Sequence, residues 1–178
     1  MSAILIVGAS RGIGYETVRL ALKGGHSVRA MARSTIRLRD PKLEKLEGDA
    51  LDRHTIERAL AGVHAVIQTI GVSPTPELIF YGTRLFCDAT RILVDVMEAG
   101  AVKRLICVTG LGAGNSRGHG GLLYDAALSL FLGRIYADKD AQEWIIRRSR
   151  LDWTIVRPTS IAKDQVRTDV DTWLNSLD

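Results

Sequence analysis

The feature that most limits the fold is a junction near the N-terminus, where an unbroken apolar run meets a glycine-rich turn. Ala3–Val7 contains five apolar residues in succession, which is typical of a central parallel strand buried on both faces. Residues 8–14 read Gly-Ala-Ser-Arg-Gly-Ile-Gly. Helical spacing follows as far as Gly24-Gly25, a pair suited to a helix C-cap. A buried strand that turns at once into a helix predicts the first βα unit of a parallel sheet.

Strand-type and helix-type segments alternate along most of the chain. The patterns predict strands over residues 3–7, 27–32, 46–48, 65–69, 104–108 and 153–156, and helices over 13–23, 53–61, 79–99, 122–132, 136–148 and 170–177. Pro41 could open a short helix, and the glycine-dense residues 110–121 are typical of a mobile lid loop. Repeated βα units predict an α/β fold, a Rossmann-type doubly wound parallel sheet, in a single domain over residues 1–178.

The glycine turn predicts a phosphate cradle. Gly8 permits the tight turn, Gly12 lets the backbone approach a pyrophosphate, and Gly14 allows the helix to pack closely on the strand. The free amide groups and the positive end of the helix dipole would then face the anion. We therefore expect a dinucleotide against Ser10, Arg11 and Ile13 as well as the glycines. The alternative is a strand-to-helix turn that merely tolerates glycine.

The residues after the second strand indicate which dinucleotide is bound. An NAD site usually carries a carboxylate there, which accepts hydrogen bonds from the ribose 2′-hydroxyl. Here Arg33 and Ser34 occupy that place, and the first acidic residue is Asp40. With Arg11 in the turn, two guanidinium groups and a hydroxyl suit a 2′-phosphate. The pattern predicts NADP(H), and its alternative is an exposed basic loop.

Composition limits the other partners. The chain is 46% hydrophobic and 25% charged, and its apolar runs are too short to span a bilayer, so we expect no membrane partner. The net charge of +4 suits a polyphosphate ligand, and with only 6% aromatic residues we expect no nucleic acid. Cys87 and Cys107 are expected to be buried hydrophobes, and the scattered histidines predict no metal site. The strand-like start leaves no room for a signal peptide, so a cytoplasmic location is expected.

Four motifs stand out along the chain: the turn at 8–14, the sequence Gly-Asp-Ala-Leu-Asp at 48–52, Ile-Gly at 70–71 and Leu-Asp-Trp-Thr-Ile-Val-Arg-Pro at 151–158. Together they resemble the short-chain dehydrogenase/reductase superfamily. Within it, the chain is most similar to the atypical NAD(P)H-binding branch that contains the NmrA-like proteins and the biliverdin reductase B/flavin reductase type. The motif at 151–158 is the most telling for the branch.

The resemblance implies a role for individual residues. Asp49, followed by Ala50, would contact the adenine, and Gly71 would lie beside the adenine ribose. Pro158 would introduce a loop near the nicotinamide. Thr109 ends the fifth strand, where the superfamily places its catalytic hydroxyl, although it could equally contact the cofactor or act as a cap.

The commoner branch of the superfamily uses a Tyr-x-x-x-Lys pair, and no such spacing exists here. Tyr136 and Lys139 are three residues apart, and a surface pair is the interpretation we favour for them. Lys139 lies twelve residues before Leu151, where atypical relatives often carry a Lys or His that faces the cofactor. Lys139, with Thr109, is therefore the predicted catalytic residue.

These expectations lead to an NADPH-dependent oxidoreductase that reduces a flat conjugated small-molecule acceptor, such as a flavin, quinone or tetrapyrrole. A conjugated acceptor delocalises incoming charge, so a tyrosine acid is less necessary. The alternative is a non-catalytic NADP(H)-binding redox sensor of the NmrA-like type, and a third hypothesis is a scaffold for protein contacts. The oligomeric state, monomer or dimer, stays open.

Overall fold

The computed structural model describes residues 3–73, 75–110 and 122–158 of the chain. The strands are β1 (Ala3–Val7), β2 (Ser27–Ala32), β3 (Leu43–Glu47), β4 (Ala65–Gln68), β5 (Arg104–Val108) and β6 (Asp152–Val156). The helices are α1 (Gly12–Lys23), α2 (Arg53–Leu60), α3 (Pro76–Tyr81), α4 (Leu85–Ala99) and α5 (Leu122–Arg148). All strand pairs are parallel, in the order β3-β2-β1-β4-β5-β6. The predicted α/β fold of the Rossmann type is confirmed.

The core consists of two apolar layers on opposite faces of the sheet. Alternate residues of β1 face opposite sides, so Ile4 packs in one layer and Leu5 in the other, and both are at most 1% exposed. Val18 of α1 belongs to the first layer, and Leu93 of α4 to the second. Burial on both faces explains why the sequence of β1 is an unbroken apolar run rather than an alternating one.

The strand order places a crevice at the middle of the sheet. β1 pairs with β2 on one side and with β4 on the other, and the chain reverses its direction of winding at this point. In such sheets the connections leave the carboxyl ends of neighbouring strands on opposite sides, which opens a ligand crevice between them. Gly8 and Thr69, which directly follow β1 and β4, lie at its base.

The helix predicted over residues 79–99 is wrong, because the chain breaks it into α3 and α4. Gly82 ends α3 in the left-handed region, with φ of 74°. α4 then begins with an external cap, since the buried carboxylate of Asp138 in α5 accepts hydrogen bonds from the amides of Phe86 (2.8 Å) and Cys87 (3.1 Å). A cap supplied by a distant helix leaves no local sequence signal.

Other boundaries also differ from the prediction. The two helices predicted over 122–132 and 136–148 form the single helix α5. The short helix predicted at Pro41 is wrong, because the chain there leads directly into β3, which pairs with β2. The predicted lid lies outside the described residues from 111 onward, as does the predicted terminal helix at 170–177.

Two expectations from composition concern the core and the membrane. Cys87 and Cys107 are buried and unbridged, as predicted. In the part of the chain that the structure describes, no helix has both the length and the apolar character needed to cross a bilayer.

A substitution at Gly14 tests the close packing of α1 on the sheet. A Cβ atom there would lie 2.2 Å from the carbonyl oxygen of Gly8 and 2.5 Å from Oγ1 of Thr69. Gly14→Ala should therefore lower the free energy of unfolding by about 1–3 kcal/mol or more, as overpacking does. Chemical denaturation followed by circular dichroism measures the change.

Gly133→Ala is the matched control, because Gly133 lies inside α5 and a Cβ there meets nothing within 4 Å. It should raise stability by about 1 kcal/mol through helix propensity alone. Equal stability changes in the two variants would contradict the packing described for Gly14.

Candidate functional site

A cleft of about 1020 Å³ lies at the carboxyl ends of the strands. It extends from the ends of β2 and β3, across the glycine turn, to the ends of β5 and β6 and one face of α5. Every sequence-predicted site residue except Gly14 lines it, namely Gly8, Ser10, Arg11, Gly12, Ile13, Arg33, Ser34, Asp49, Ala50, Gly71, Thr109, Lys139 and Pro158. Residues from seven separate segments of the chain are thus brought to one cavity.

The glycine turn is fixed by backbone contacts on both sides. The amides of Gly8 and Ala9 donate to the carbonyl oxygen of Met31 at 2.9 and 3.1 Å. Gly8 has φ of 90°, and a Cβ atom there would lie 2.9 Å from the backbone of Thr69. Gly12 has φ of 57°, and a Cβ there would meet no atom within 4 Å. The backbone at Gly12 therefore borders open space in the cleft, as a phosphate-binding turn requires.

The N-terminus of α1 is suited to an anion. α2 is capped by the carboxylate of Asp52 and α3 by the hydroxyl of Thr75. α1 has Arg11 at its N-cap position with no side-chain capping bond, and its first turn holds no acidic residue. The first amides of a helix need an acceptor, and the helix dipole favours negative charge there. The turn and the helix together fit a pyrophosphate.

The end of the cleft at β2 and β3 carries basic and polar groups. Arg33 and Ser34 follow β2, are exposed and line the cleft. Asp49 is the only acidic residue among the described residues that line it, and its Oδ1 accepts a hydrogen bond from the amide of Leu51 at 3.0 Å. Asp49 follows β3, so no carboxylate occupies the place directly after β2.

The opposite end of the cleft centres on the ammonium group of Lys139. Its Nζ donates to the backbone oxygen of Thr109 at 3.1 Å and lies 4.2 Å from the ring centroid of Phe86. Burial lowers the pKa of Lys139 below its usual value, although Cys107, Asp138 and Glu143 act in the opposite direction. The result is a partly desolvated cation held against an aromatic face.

Thr109 is bound at three of its atoms. Its amide donates to the carbonyl oxygen of Val156 at 2.8 Å, and its hydroxyl donates to Oε1 of Glu143 at 2.8 Å. Its carbonyl oxygen accepts from Lys139. Thr109 thus joins β5, β6 and α5, and its hydroxyl proton is directed into the protein. Its contact with the cleft is through the rest of the residue.

Glu143 is a functional neighbour that the sequence analysis missed. It is 1% exposed, and besides Thr109 it binds the guanidinium of Arg157 through Nε at 2.8 Å and through a second nitrogen. Burial raises the pKa of Glu143, but hydrogen bonds from Arg157 and Thr109, with the charges of Arg157 and Arg147, outweigh it and leave the pKa below its usual value. Glu143 is therefore ionised at neutral pH.

The interpretation of Tyr136 and Lys139 as a surface pair is wrong. Both line the cleft, because Tyr136, Lys139 and Glu143 share the face of α5 that packs toward the ends of β5 and β6. The spacing of three and then four residues is the helical signal that could have shown this. The apolar wall residues Val72, Leu85, Phe86 and Ile135 were also missed.

Comparison with known proteins identifies the family. A family model described as NAD(P)H-binding matches residues 8–176, almost the whole chain. The chain belongs to this family. It is an atypical short-chain dehydrogenase/reductase, as the sequence motifs predicted, and the cofactor is a nicotinamide dinucleotide. The family description covers both NADH and NADPH.

Individual members and neighbours agree with the assignment. ChuY, described as an anaerobillin reductase from Escherichia coli O157:H7, is 26% identical with a TM-score of 0.66, over 88% of this chain and 72% of its own. WbmH of Bordetella bronchiseptica, solved with NAD+, matches 100% of this chain and 73% of its own at a TM-score of 0.76 and 18% identity, which shows the fold alone.

A curated plant relative matches most of this chain but little of its own length. The protein TIC 62, chloroplastic, of Arabidopsis thaliana is 32% identical over 176 residues, which cover 87% of this chain and 26% of the relative. The chain spans between about a quarter and a third of the length of the curated relatives it matches.

Within the described ranges, no group of three His, Cys, Asp or Glu side chains is placed to hold a metal ion.

The cradle is tested by Gly12→Val. The new side chain would enter the open space beside the turn, so we expect binding of NADPH and of NADH to be abolished. Isothermal titration calorimetry measures the binding, and circular dichroism checks the fold. Gly62→Val is the matched control, because Gly62 also has a positive φ (75°) and open space around its Cβ position but does not line the cleft. Normal cofactor binding by Gly12→Val would show that the assigned site is wrong.

Proposed function

We propose that the chain is an NADPH-dependent reductase of a flat conjugated acceptor, such as a flavin, quinone or tetrapyrrole. The observation that carries the proposal is the position of Lys139. Its cation faces the cleft beside Thr109 and Phe86, at the end opposite Arg33. A dinucleotide with its pyrophosphate at the glycine turn would then direct its reactive ring toward Lys139.

Preference for NADPH is supported by the charges at the β2 end of the cleft. Arg33 and Ser34 follow β2, and Arg11 lies in the adjacent turn. Guanidinium groups can bind a 2′-phosphate with paired hydrogen bonds. A carboxylate directly after β2, which would accept from the 2′-hydroxyl of NADH, is absent from the sequence there.

The proposed acceptor class is supported by the walls around Lys139. Val72, Leu85, Phe86, Val108 and Ile135 make this end of the cleft largely apolar, which suits the face of a planar conjugated ligand. One solved relative, ChuY, is described as an anaerobillin reductase, which supports a reductase role.

In this proposal the bound cofactor supplies a hydride, which carries two electrons to the acceptor. Lys139 stabilises the negative charge that develops on the acceptor, and a proton from water completes the reduction. The apolar walls make the surroundings of Lys139 less polar and so strengthen its electrostatic effect. Conjugation spreads the charge over the acceptor, so a tyrosine acid is not required.

A non-catalytic NADP(H) sensor is the second candidate. It is favoured by one observation, namely that the Thr109 hydroxyl at the usual catalytic position donates to the buried carboxylate of Glu143. In this candidate the same cleft binds the dinucleotide, and no acceptor is reduced. The two candidates differ in turnover alone.

Oxidation of NADPH, followed at 340 nm with flavins, quinones and tetrapyrroles as acceptors, distinguishes the reductase from the sensor. The reductase proposal expects turnover with at least one acceptor class. Tight NADPH binding without turnover of any acceptor would favour the sensor.

Cofactor choice is tested by Arg33→Ala. Loss of a charge-assisted contact of about 1.5–3 kcal/mol should weaken NADPH binding roughly 10- to 150-fold and leave NADH binding nearly unchanged. Arg37→Ala is the matched control, because it removes one positive charge from the same exposed segment but does not line the cleft. Equal losses for both dinucleotides in calorimetric titrations would contradict the assignment of Arg33 to the 2′-phosphate.

The roles of Lys139 and Tyr136 are separated by two substitutions. Lys139→Ala should lose most of the turnover, whereas Tyr136→Phe should keep most of it. If Tyr136 were instead the general acid, its loss would lower the rate by about 10²–10⁴. Steady-state assays with the best acceptor measure both. Lys103→Ala serves as the control, since Lys103 binds carbonyl oxygens of Met97 and Glu98 at the far end of the sheet. If only Tyr136→Phe lost most of its turnover, Tyr136 and not Lys139 would be the catalytic residue.

A further inference from the structure

The ion pair between Glu143 and Arg157 joins three elements at the Lys139 end of the cleft. Glu143 lies on α5 one helical turn after Lys139, and Arg157 directly follows β6. The pair is reinforced by Thr109 at the end of β5, whose hydroxyl donates to Oε1 of Glu143. Arg147 lies 3.7 Å from the same carboxylate.

The pair of Glu143 and Arg157 is connected to Lys139 through Thr109. Glu143 holds the side chain of Thr109, and the carbonyl oxygen of Thr109 accepts the hydrogen bond from Nζ of Lys139. Gly110 and Pro158, which directly follow Thr109 and Arg157 in the sequence, line the same cleft as Lys139. A displacement of Glu143 or Arg157 would therefore move the oxygen that orients the ammonium and both backbone segments around it.

The chemistry of the pair favours such a role over simple stabilisation. Removing two charged groups from water costs free energy that their attraction often only balances, and apolar pairs of similar volume are frequently as stable. Glu143 meets Thr109 and Arg157 through several hydrogen bonds of defined direction. Directional contacts of this kind fix geometry even where their net contribution to stability is small.

We propose that Glu143 and Arg157 are positioning residues, which hold Thr109 and thereby orient Lys139 toward the reacting end of the cleft. The role in turnover rests on the proposed reductase function. The positioning of Lys139 itself does not, because it concerns contacts within this chain.

The test uses Glu143→Gln and the double variant Glu143→Gln/Arg157→Gln in the full chain. The single variant leaves Arg157 without its carboxylate partner and should be the less stable of the two. The double variant removes both charges, so its melting temperature should recover toward that of the wild type. Glu98→Gln is the matched control, because Glu98 is paired with Arg150 at the opposite end of the sheet.

The first readout is the pKa of Lys139, measured by NMR from the ¹³Cε shift in a protein whose six lysines are labelled. Lys139→Ala identifies the signal. The charged groups that face Lys139 are Asp138 and Glu143 from α5, and their negative charges raise its pKa. Cys107 from β5 is a neutral thiol, because burial raises its pKa to about 12. Glu143→Gln removes one negative charge and should therefore lower the pKa of Lys139. The double variant also removes the positive charge of Arg157 and should lower it less, and Glu98→Gln should leave it unchanged.

The second readout compares the change in NADPH binding with the change in turnover. The double variant should bind NADPH within about twofold of wild type, yet turn over roughly 10- to 100-fold more slowly, as expected when a reacting group is misplaced by about 1 Å. A purely structural pair would instead restore turnover together with the melting temperature. That recovery, or an unchanged pKa of Lys139 in Glu143→Gln, would overturn the proposal.

Failure of the reductase function has a different signature. In that case the wild type reduces no acceptor, and the NMR titration still decides whether Glu143 acts on Lys139.

Discussion

The structure depends most on the close approach of α1 to the ends of β1 and β4. Gly14 leaves no room for a Cβ atom between the carbonyl oxygen of Gly8 and the hydroxyl of Thr69. The hydroxyl of Thr69 in turn donates to the carbonyl oxygen of Val7 at 2.9 Å. This contact sets the first amides of α1 directly over the crevice where the sheet changes its direction of winding. The anion site and the cleft follow from it.

The end of the cleft at Lys139 depends on hydrogen bonds and charge pairs between side chains. Lys139, Thr109, Glu143 and Arg157 form a connected polar group among apolar neighbours. In such surroundings each partner must be satisfied by another, because an unpaired buried charge is costly. A cation can therefore be held at a fixed place without water, which is useful where negative charge develops during a reaction. The two ends of the cleft are thus held together by different kinds of contact.

The sequence was sufficient for the parts of the molecule that local chemistry determines. The apolar run of β1 and the glycines that follow it act over a few residues, and the sequence predicts both. Lys139 was found by family resemblance rather than by spacing. Asp138 and Glu143 were missed because their partners are distant: Asp138 is 52 positions from Phe86 in the sequence, and Glu143 is 34 positions from Thr109. The break at Gly82 was missed because the cap on α4 comes from α5.

The proposed function requires one dinucleotide to span the cleft from Arg33 to Lys139. A crystal structure with bound NADP+ tests this arrangement. We expect the 2′-phosphate at Arg33 and Arg11, the pyrophosphate on the backbone at Gly12, and the nicotinamide ring within contact of Lys139. A cofactor bound in the reverse direction, or a nicotinamide ring that points away from Lys139 into solvent, would contradict the account.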